Sequence, residues 1–121
     1  MATITINLVP DDYLREMHLH RWNTDSDTAL FEWALDHRDS YQTAAQIVVD
    51  QSGEDAAEEA FDLTNNPSRD AERHKIYGRQ RSVSVGDIVT VTEADGTSTE
   101  WLCDSIGWRE LKTLDNSDNI V

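Results

Sequence analysis

Thr3-Ile4-Thr5-Ile6-Asn7-Leu8 alternates polar and apolar residues, and this period of two predicts an N-terminal strand with Ile4, Ile6 and Leu8 turned to a core. Pro10-Asp11-Asp12 closes it. From Tyr13 to Asn23 the pattern is mixed. Leu14, Met17 and Leu19 suit a short helix, but Met17-His18-Leu19-His20-Arg21-Trp22 alternates in part and assigns a second strand to residues 16–22. Thr24-Asp25-Ser26-Asp27 then offers several N-caps, with acids placed for the positive end of a helix dipole. Ala29, Leu30, Phe31, Trp33, Ala34 and Leu35 carry that helix over 27–37, and Asp39-Ser40 breaks it. Residues 41–50, with Ala45, Ile47 and Val49 on one side and β-branched residues at the end, fit a strand.

Ser52-Gly53 turns the chain into a helix over 54–64, where Ala57, Ala60, Phe61 and Leu63 lie opposite Glu54, Asp55, Glu58 and Glu59. Thr64-Asn65-Asn66-Pro67-Ser68 ends it, since Asn tolerates the left-handed cap and the residue before Pro avoids the helical region. Residues 69–81 read as a loop. A strand over 82–92 follows, bent at Gly86-Asp87. Ala94-Asp95-Gly96-Thr97 is a hairpin turn of the Asp-Gly kind, 99–104 is the returning strand, Gly107 permits a bend, and 108–114 adds a last strand. The fold class is α+β: one domain over 1–114, with a mainly antiparallel sheet, a C-terminal β-hairpin and two helices on one face. Residues 115–121 form a polar tail.

Composition changes this picture in one respect. Of 121 residues, 24 are acidic and 10 basic, for a net charge of −14, and only Lys75 and Lys112 are lysines. Asp outnumbers Glu and Thr is plentiful, the balance expected of a chain that works in molar salt, where carboxylates keep the surface hydrated and salt screens their repulsion. The other cause of such a charge is a DNA mimic, which concentrates carboxylates on one face, whereas here they run through every segment. Binding of nucleic acid through a broad basic patch does not fit. A hydrophobic fraction of 38% with four Trp supports a folded core. No stretch approaches the roughly 18 to 20 apolar residues that cross a bilayer, and the start has no basic n-region, so a cytoplasmic location is expected. Cys103 is a single cysteine, which forms no internal disulfide and no zinc site by itself.

Three segments carry a likeness. Ala56-Ala57-Glu58-Glu59-Ala60-Phe61-Asp62-Leu63-Thr64-Asn65, then Arg81-Ser82-Val83-Ser84-Val85-Gly86-Asp87-Ile88-Val89, then Cys103-Asp104-Ser105-Ile106-Gly107-Trp108 resemble the YodL-like group of small phage, plasmid and integrated-element proteins. The likeness covers roughly residues 41–114, and the first forty residues fall outside it. It implies a mobile-element protein; most members of the group have no assigned activity.

The candidate chemistry is sparse. His18 and His20, two apart on a strand, would share a face and offer a pair of metal ligands, with His37, His74, Cys103 or a carboxylate as the third. No spacing singles out that third ligand, and a surface pair is the simpler state. Cys103 stands next to Asp104 and near Glu100, which disfavour a thiolate, so it reads as a packed strand cysteine. Gly86-Asp87 is explained by backbone geometry, with Asp87 accepting backbone N–H bonds, and the glycines and lysine of a phosphate loop are missing. Asp11-Asp12 and Asp25, Asp27 lack the spacing of a calcium loop. No catalytic, cofactor or metal residues are therefore assigned, and no cofactor. The best contact patch is Arg73, Tyr77, Arg79 and Arg81 in the basic-leaning stretch 69–81, set against pairing of these arginines with the chain's own carboxylates. Trp22, Trp33, Trp101 and Trp108 are core residues, with one free to be an interface anchor.

The expected function is that of a non-enzymatic accessory protein of a mobile element, acting by protein–protein contact in a high-salt cytoplasm, as a monomer or small homo-oligomer. The partner is an unidentified protein, with no membrane involved. The alternatives are an acidic DNA mimic that inhibits a host defence or DNA-binding protein, and a small nucleic-acid module using 69–81.

Overall fold

The computed structural model describes residues 1–23, 26–105 and 107–114. Strand β1 (Ala2–Leu8) leads through Val9-Pro10 into helix α1 (Asp11–Asn23), followed by α2 (Ser26–His37), a 3₁₀ turn (Arg38–Ser40) and strand β2 (Gln42–Val49). Helix α3 (Gly53–Asn65), a second 3₁₀ turn (Pro67–Arg69) and helix α4 (Asp70–Ile76) precede strands β3 (Ile88–Glu93), β4 (Ser98–Asp104) and β5 (Gly107–Leu114). The five strands form one antiparallel sheet in the order β2-β1-β3-β4-β5. The chain is a single α+β domain, as its hydrophobic pattern predicts, and the polar tail over 115–121 lies outside the described residues.

Period-two alternation divides the sheet into two faces. On one, Ala2, Ile4 and Ile6 of β1, Val89 and Val91 of β3 and Cys103 of β4 pack with Ala56, Ala57, Ala60, Tyr77 and Val83. The small residues of α3 allow it to lie close on the strands. On the other face, Ile88 and Leu102 pack with Val9, Met17, Leu30, Trp33, Ala34 and Tyr41. Full burial of side chains such as Ile4, Ile6 and Leu102 is worth about 1.5–3 kcal/mol each.

Four expectations are corrected. The segment 16–22 is helix, because Tyr13, Leu14 and Met17 recur at helical spacing against the second core and Asp11 and Asp12 favour the start of α1. The short alternation around Leu19 is a surface feature, Leu19 being 49% exposed. The segment 69–81 is not a plain loop: α4 forms there with Asp70 and Glu72 in its first turn and Arg73, His74 and Lys75 in its last, so charge against the dipole supports a helix that buries none of its own residues. Nor do α2 and α3 share a face. The α1–α2 pair covers the second core and α3 the first.

The strand expected from Ser82 begins only at Ile88, because 81–87 is held in a turn. Gly86 has φ 98° there, and a Cβ on it would overlap Met17 Sδ and Cε. Gly86→Ala should cost about 2–3 kcal/mol in chemical denaturation, from strain plus overpacking. In a Met17→Ala background the same substitution should cost clearly less, and strict additivity of the two changes would show that this close approach is not the cause.

Candidate functional site

The basic patch read from the sequence resolves into an internal junction. Arg73 lies over the Tyr77 ring at 5.2 Å and donates to the carbonyls of Thr64 (3.0 Å), Gly78 (2.7 Å) and Gln80 (2.6 Å). Tyr77 is buried and donates its hydroxyl to Arg81 O at 2.6 Å. Arg81 makes a bidentate pair with Asp87, Nη1 to Oδ2 at 2.8 Å and Nη2 to Oδ1 at 2.9 Å, and donates to Val9 O at 3.0 Å. Arg79 is exposed. The structure thus brings Arg73, Tyr77 and Arg81 together and commits the two arginines, each half-buried, to internal bonds, with Arg79 the exposed member of the four.

Asp87 is the hub of this junction. Its side chain is fully buried and also accepts from Val9 N (2.9 Å) and Ser84 N (2.8 Å). Its backbone continues the network, with Cys103 N donating to Asp87 O at 2.9 Å and Gly86 N to Cys103 O at 2.8 Å. Thr64 and Asn65 reach in from the end of α3. Thr64 Oγ1 accepts from Val83 N at 3.1 Å, Ser82 Oγ donates to Thr64 O at 2.7 Å, and Asn65 Nδ2 donates to Val83 O at 2.8 Å. The end of α3, the segment 81–87 and Cys103 therefore meet at one structural knot.

Charge and burial shift the groups around the knot. The Arg81 guanidinium is stabilised as a cation chiefly by its bonds to Asp87. Burial, reinforced by the Asp87 charge, raises Tyr77 to about 12, raises Tyr41 further, and pushes the Cys103 thiol up to about 12. A thiol so protonated is a poor nucleophile. Tyr41 donates its hydroxyl to Gly86 O at 2.5 Å, which ties the start of β2 to the same turn.

Other sequence candidates separate. His18 and His20 are on a helix, where positions two apart do not share a face. His37 stacks on Trp33 at 4.1 Å, with Nε2 3.2 Å from Glu16 Oε1 and Nδ1 2.9 Å from Trp33 O, which pins α1 to α2. Trp33 is buried, while Trp108 is half-buried and donates to Glu58 Oε2 at 2.8 Å. Among the described residues, no three His, Cys, Asp or Glu side chains gather as a metal-binding group. No helix among them is long and apolar enough to cross a membrane.

A different surface emerges at the edge of the sheet. β2 is an outermost strand, and its sequence Gln42-Thr43-Ala44-Ala45-Gln46-Ile47-Val48-Val49 contains no charge and no proline. Register with β1 turns Ala45, Ile47 and Val49 toward α3 and leaves Gln46 and Val48 on the opposite face, Val48 being 65% exposed. Beside the strand runs a groove of about 200 Å³ lined by Ile47, Val49 and Asp50, by Glu59 and Leu63 of α3, and by Arg69, Glu72 and Ile76. Arg69 braces its far wall with bonds to Glu59 (2.7 Å), Asp62 (2.9 Å) and Glu72 (2.7 Å). At its other end Gln80 Nε2 donates to Ala44 O at 2.8 Å. Sequence reasoning missed this groove because it depends on β2 being an edge strand, which only the strand order reveals. The signal available was a charge-free β-branched run in a chain otherwise dense in carboxylates.

Compared with family models, with curated proteins and with solved structures, the chain finds no match in any of the three.

Asp87→Asn should lower stability by about 3 kcal/mol in urea denaturation, since it leaves the Arg81 cation without its charge partner and turns an amide NH2 against two N–H donors that the replaced oxygen accepted. Unchanged stability would remove Asp87 from its central place. A second expectation concerns alkali. Tyr77 and Cys103 have ordinary values of 10.0 and 9.0 and folded values of about 12, so the unfolded chain loses these protons first. Their contribution is intact below the unfolded values and is lost as pH rises through about 12, so unfolding free energy should fall steadily from pH 9 upward. In the same window Cys103 should resist iodoacetamide until the chain unfolds, and rapid alkylation of the native protein at pH 9 would contradict the burial argument.

Proposed function

We propose that this chain is a non-enzymatic binding protein, an accessory of a mobile element of the YodL-like kind, which recognises another protein through the open edge of β2 in a high-salt cytoplasm. The observation that carries this reading is the uncharged strand edge, with Val48 largely exposed, on a chain of net charge −14. Edge strands are ready templates for pairing unless charge, proline, a bulge or a covering element blunts them. β2 carries no charge and no proline, and its bulge and the Gln80 bond both fall at Ala44, which leaves residues 46–49 without such a device.

The distribution of acids supports solvation rather than mimicry. Exposed carboxylates stand on α1 (Asp11, Asp12, Glu16), α2 (Glu32, Asp36), α3 (Glu54, Asp55, Glu58) and α4 (Asp70, Glu72), helices that cover both faces of the sheet, and so they form no single ridge. The inward turn of Arg73 and Arg81 leaves the basic stretch with little to offer a phosphate backbone.

Affinity capture from a lysate held at molar salt should recover a protein with the wild-type chain and lose it with Val48→Lys, a change at an exposed position that leaves the fold intact. Equal recovery by both chains would sink the edge as the contact surface. For the saline setting, the melting temperature should rise as potassium chloride is raised from about 0.1 M to about 2 M, because screening relieves the self-repulsion of the carboxylates. A flat or falling trend would count against salt adaptation.

A further inference from the structure

We infer that the occupant of the β2 edge is an extended, cationic–apolar strand of a partner protein, which adds to the sheet alongside β2 and drops alternate side chains into the groove walled by α3 and α4; this rests on the reading of the edge as the contact surface. Three observations converge on that chemistry. The first is the strand edge itself: among the described residues β2 pairs with β1 alone, Gln80 occupies Ala44 O at one end, and the strand carries no gatekeeping charge.

The second is the apolar lining. Ile47 and Leu63 form the inner part of the groove and Ile76, 44% exposed, stands at its lip. A strand running past β2 presents every second side chain to this lining, so small or medium apolar residues in alternation fit it.

The third is charge. Among the described residues, Arg69 is the one cation lining the groove and its charge is shared among Glu59, Asp62 and Glu72, so the lining carboxylates Glu59 and Glu72, with exposed Asp50 at the end of β2, leave the groove negative. A second recess next to the groove is lined by Gln51, Asp55, Glu58, Glu59 and Asp62, so a strand continuing past Val49 meets carboxylates again. Lysine or arginine at the alternate positions answers this pattern. A second copy of the chain would bring another net charge of −14 to the same place and a strand without a single cation.

The probe is a fluorescein-labelled peptide Lys-Val-Lys-Val-Lys-Val-Lys, read by anisotropy against the full chain, beside its Glu-Val counterpart and a Lys-Val peptide N-methylated at alternate residues. The Lys-Val peptide should bind, the Glu-Val peptide should not, and the N-methylated peptide should lose about tenfold because it cannot complete the ladder. Asp50→Lys, at an exposed position just beyond β2, should weaken binding by about threefold or more while leaving the far-ultraviolet spectrum unchanged. Equal binding of the N-methylated peptide overturns strand addition. Equal binding of Glu-Val overturns the cationic occupant, and so does no binding of Lys-Val while lysate capture remains sensitive to Val48→Lys, an outcome that spares the edge as contact surface. Light scattering that shows a dimer dispersed by Val48→Lys overturns the foreign strand in favour of a second copy. Loss of both peptide binding and Val48-sensitive capture removes this occupant and the underlying function together.

Discussion

The structure depends on one buried anion. Asp87 has no exposure to solvent, and a carboxylate in that position is tolerated only when its charge and its lone pairs are matched. Arg81 supplies the charge, and Val9 N and Ser84 N supply two more bonds. These partners come from the end of β1 and from the turn before β3, so satisfying one side chain fixes two segments far apart in sequence. The Asp87 backbone then sets β4 through Cys103, and Gly86 sets the start of β2 through Tyr41. Because this knot lies where the two cores approach each other, each face of the sheet is registered against the other.

That arrangement uses up positive charge. Arg73 and Arg81 bind carbonyls and Asp87, Arg38 is held by Glu100 at 2.6 Å, and Arg69 gathers three carboxylates. In a chain with 10 basic residues, such internal work leaves a surface that is acidic almost throughout. The edge of β2 interrupts that acidic coat, and the groove beside it gives the interruption a shape.

How much of this was legible in the sequence follows from the range of each interaction. β1, α3 and the β3–β4 hairpin carry strong local periods or turn signals, and their positions could be read from Ile4-x-Ile6, from Ala57-x-x-Ala60, and from Asp95-Gly96. α1 was misread because Leu19, exposed on a helix, mimicked one position of a strand. α4 escaped because it buries none of its own residues and is specified by charge against its dipole. The inward turn of the arginines was unreadable in detail, since Val9, Asp87 and Thr64 become neighbours only through the fold. The edge groove was hidden for the same reason: strand order is a long-range property, and β2 looks the same in sequence whether it lies inside a sheet or at its rim.

In the saline setting proposed above, salt bears on how such an edge would serve recognition. At molar ionic strength charges are screened over roughly 3 Å, so the acidic coat that would keep copies apart in dilute buffer loses most of its reach. Backbone ladder bonds and the burial of Ile47, Leu63 and Ile76 are not weakened in that way. A bare edge in such a medium would invite indiscriminate pairing unless its geometry restricted what can approach. α4 and the Gln80–Ala44 bond supply that restriction by walling one side of the strand and closing one end. Carboxylates in direct contact, such as Glu72 and Asp50 at the groove, still act inside the screening distance and can select the sign of the incoming side chain. On the proposed reading, the edge would take its attraction from the ladder, its shape from α3 and α4, and its choice of partner from charges close enough for salt to leave them intact.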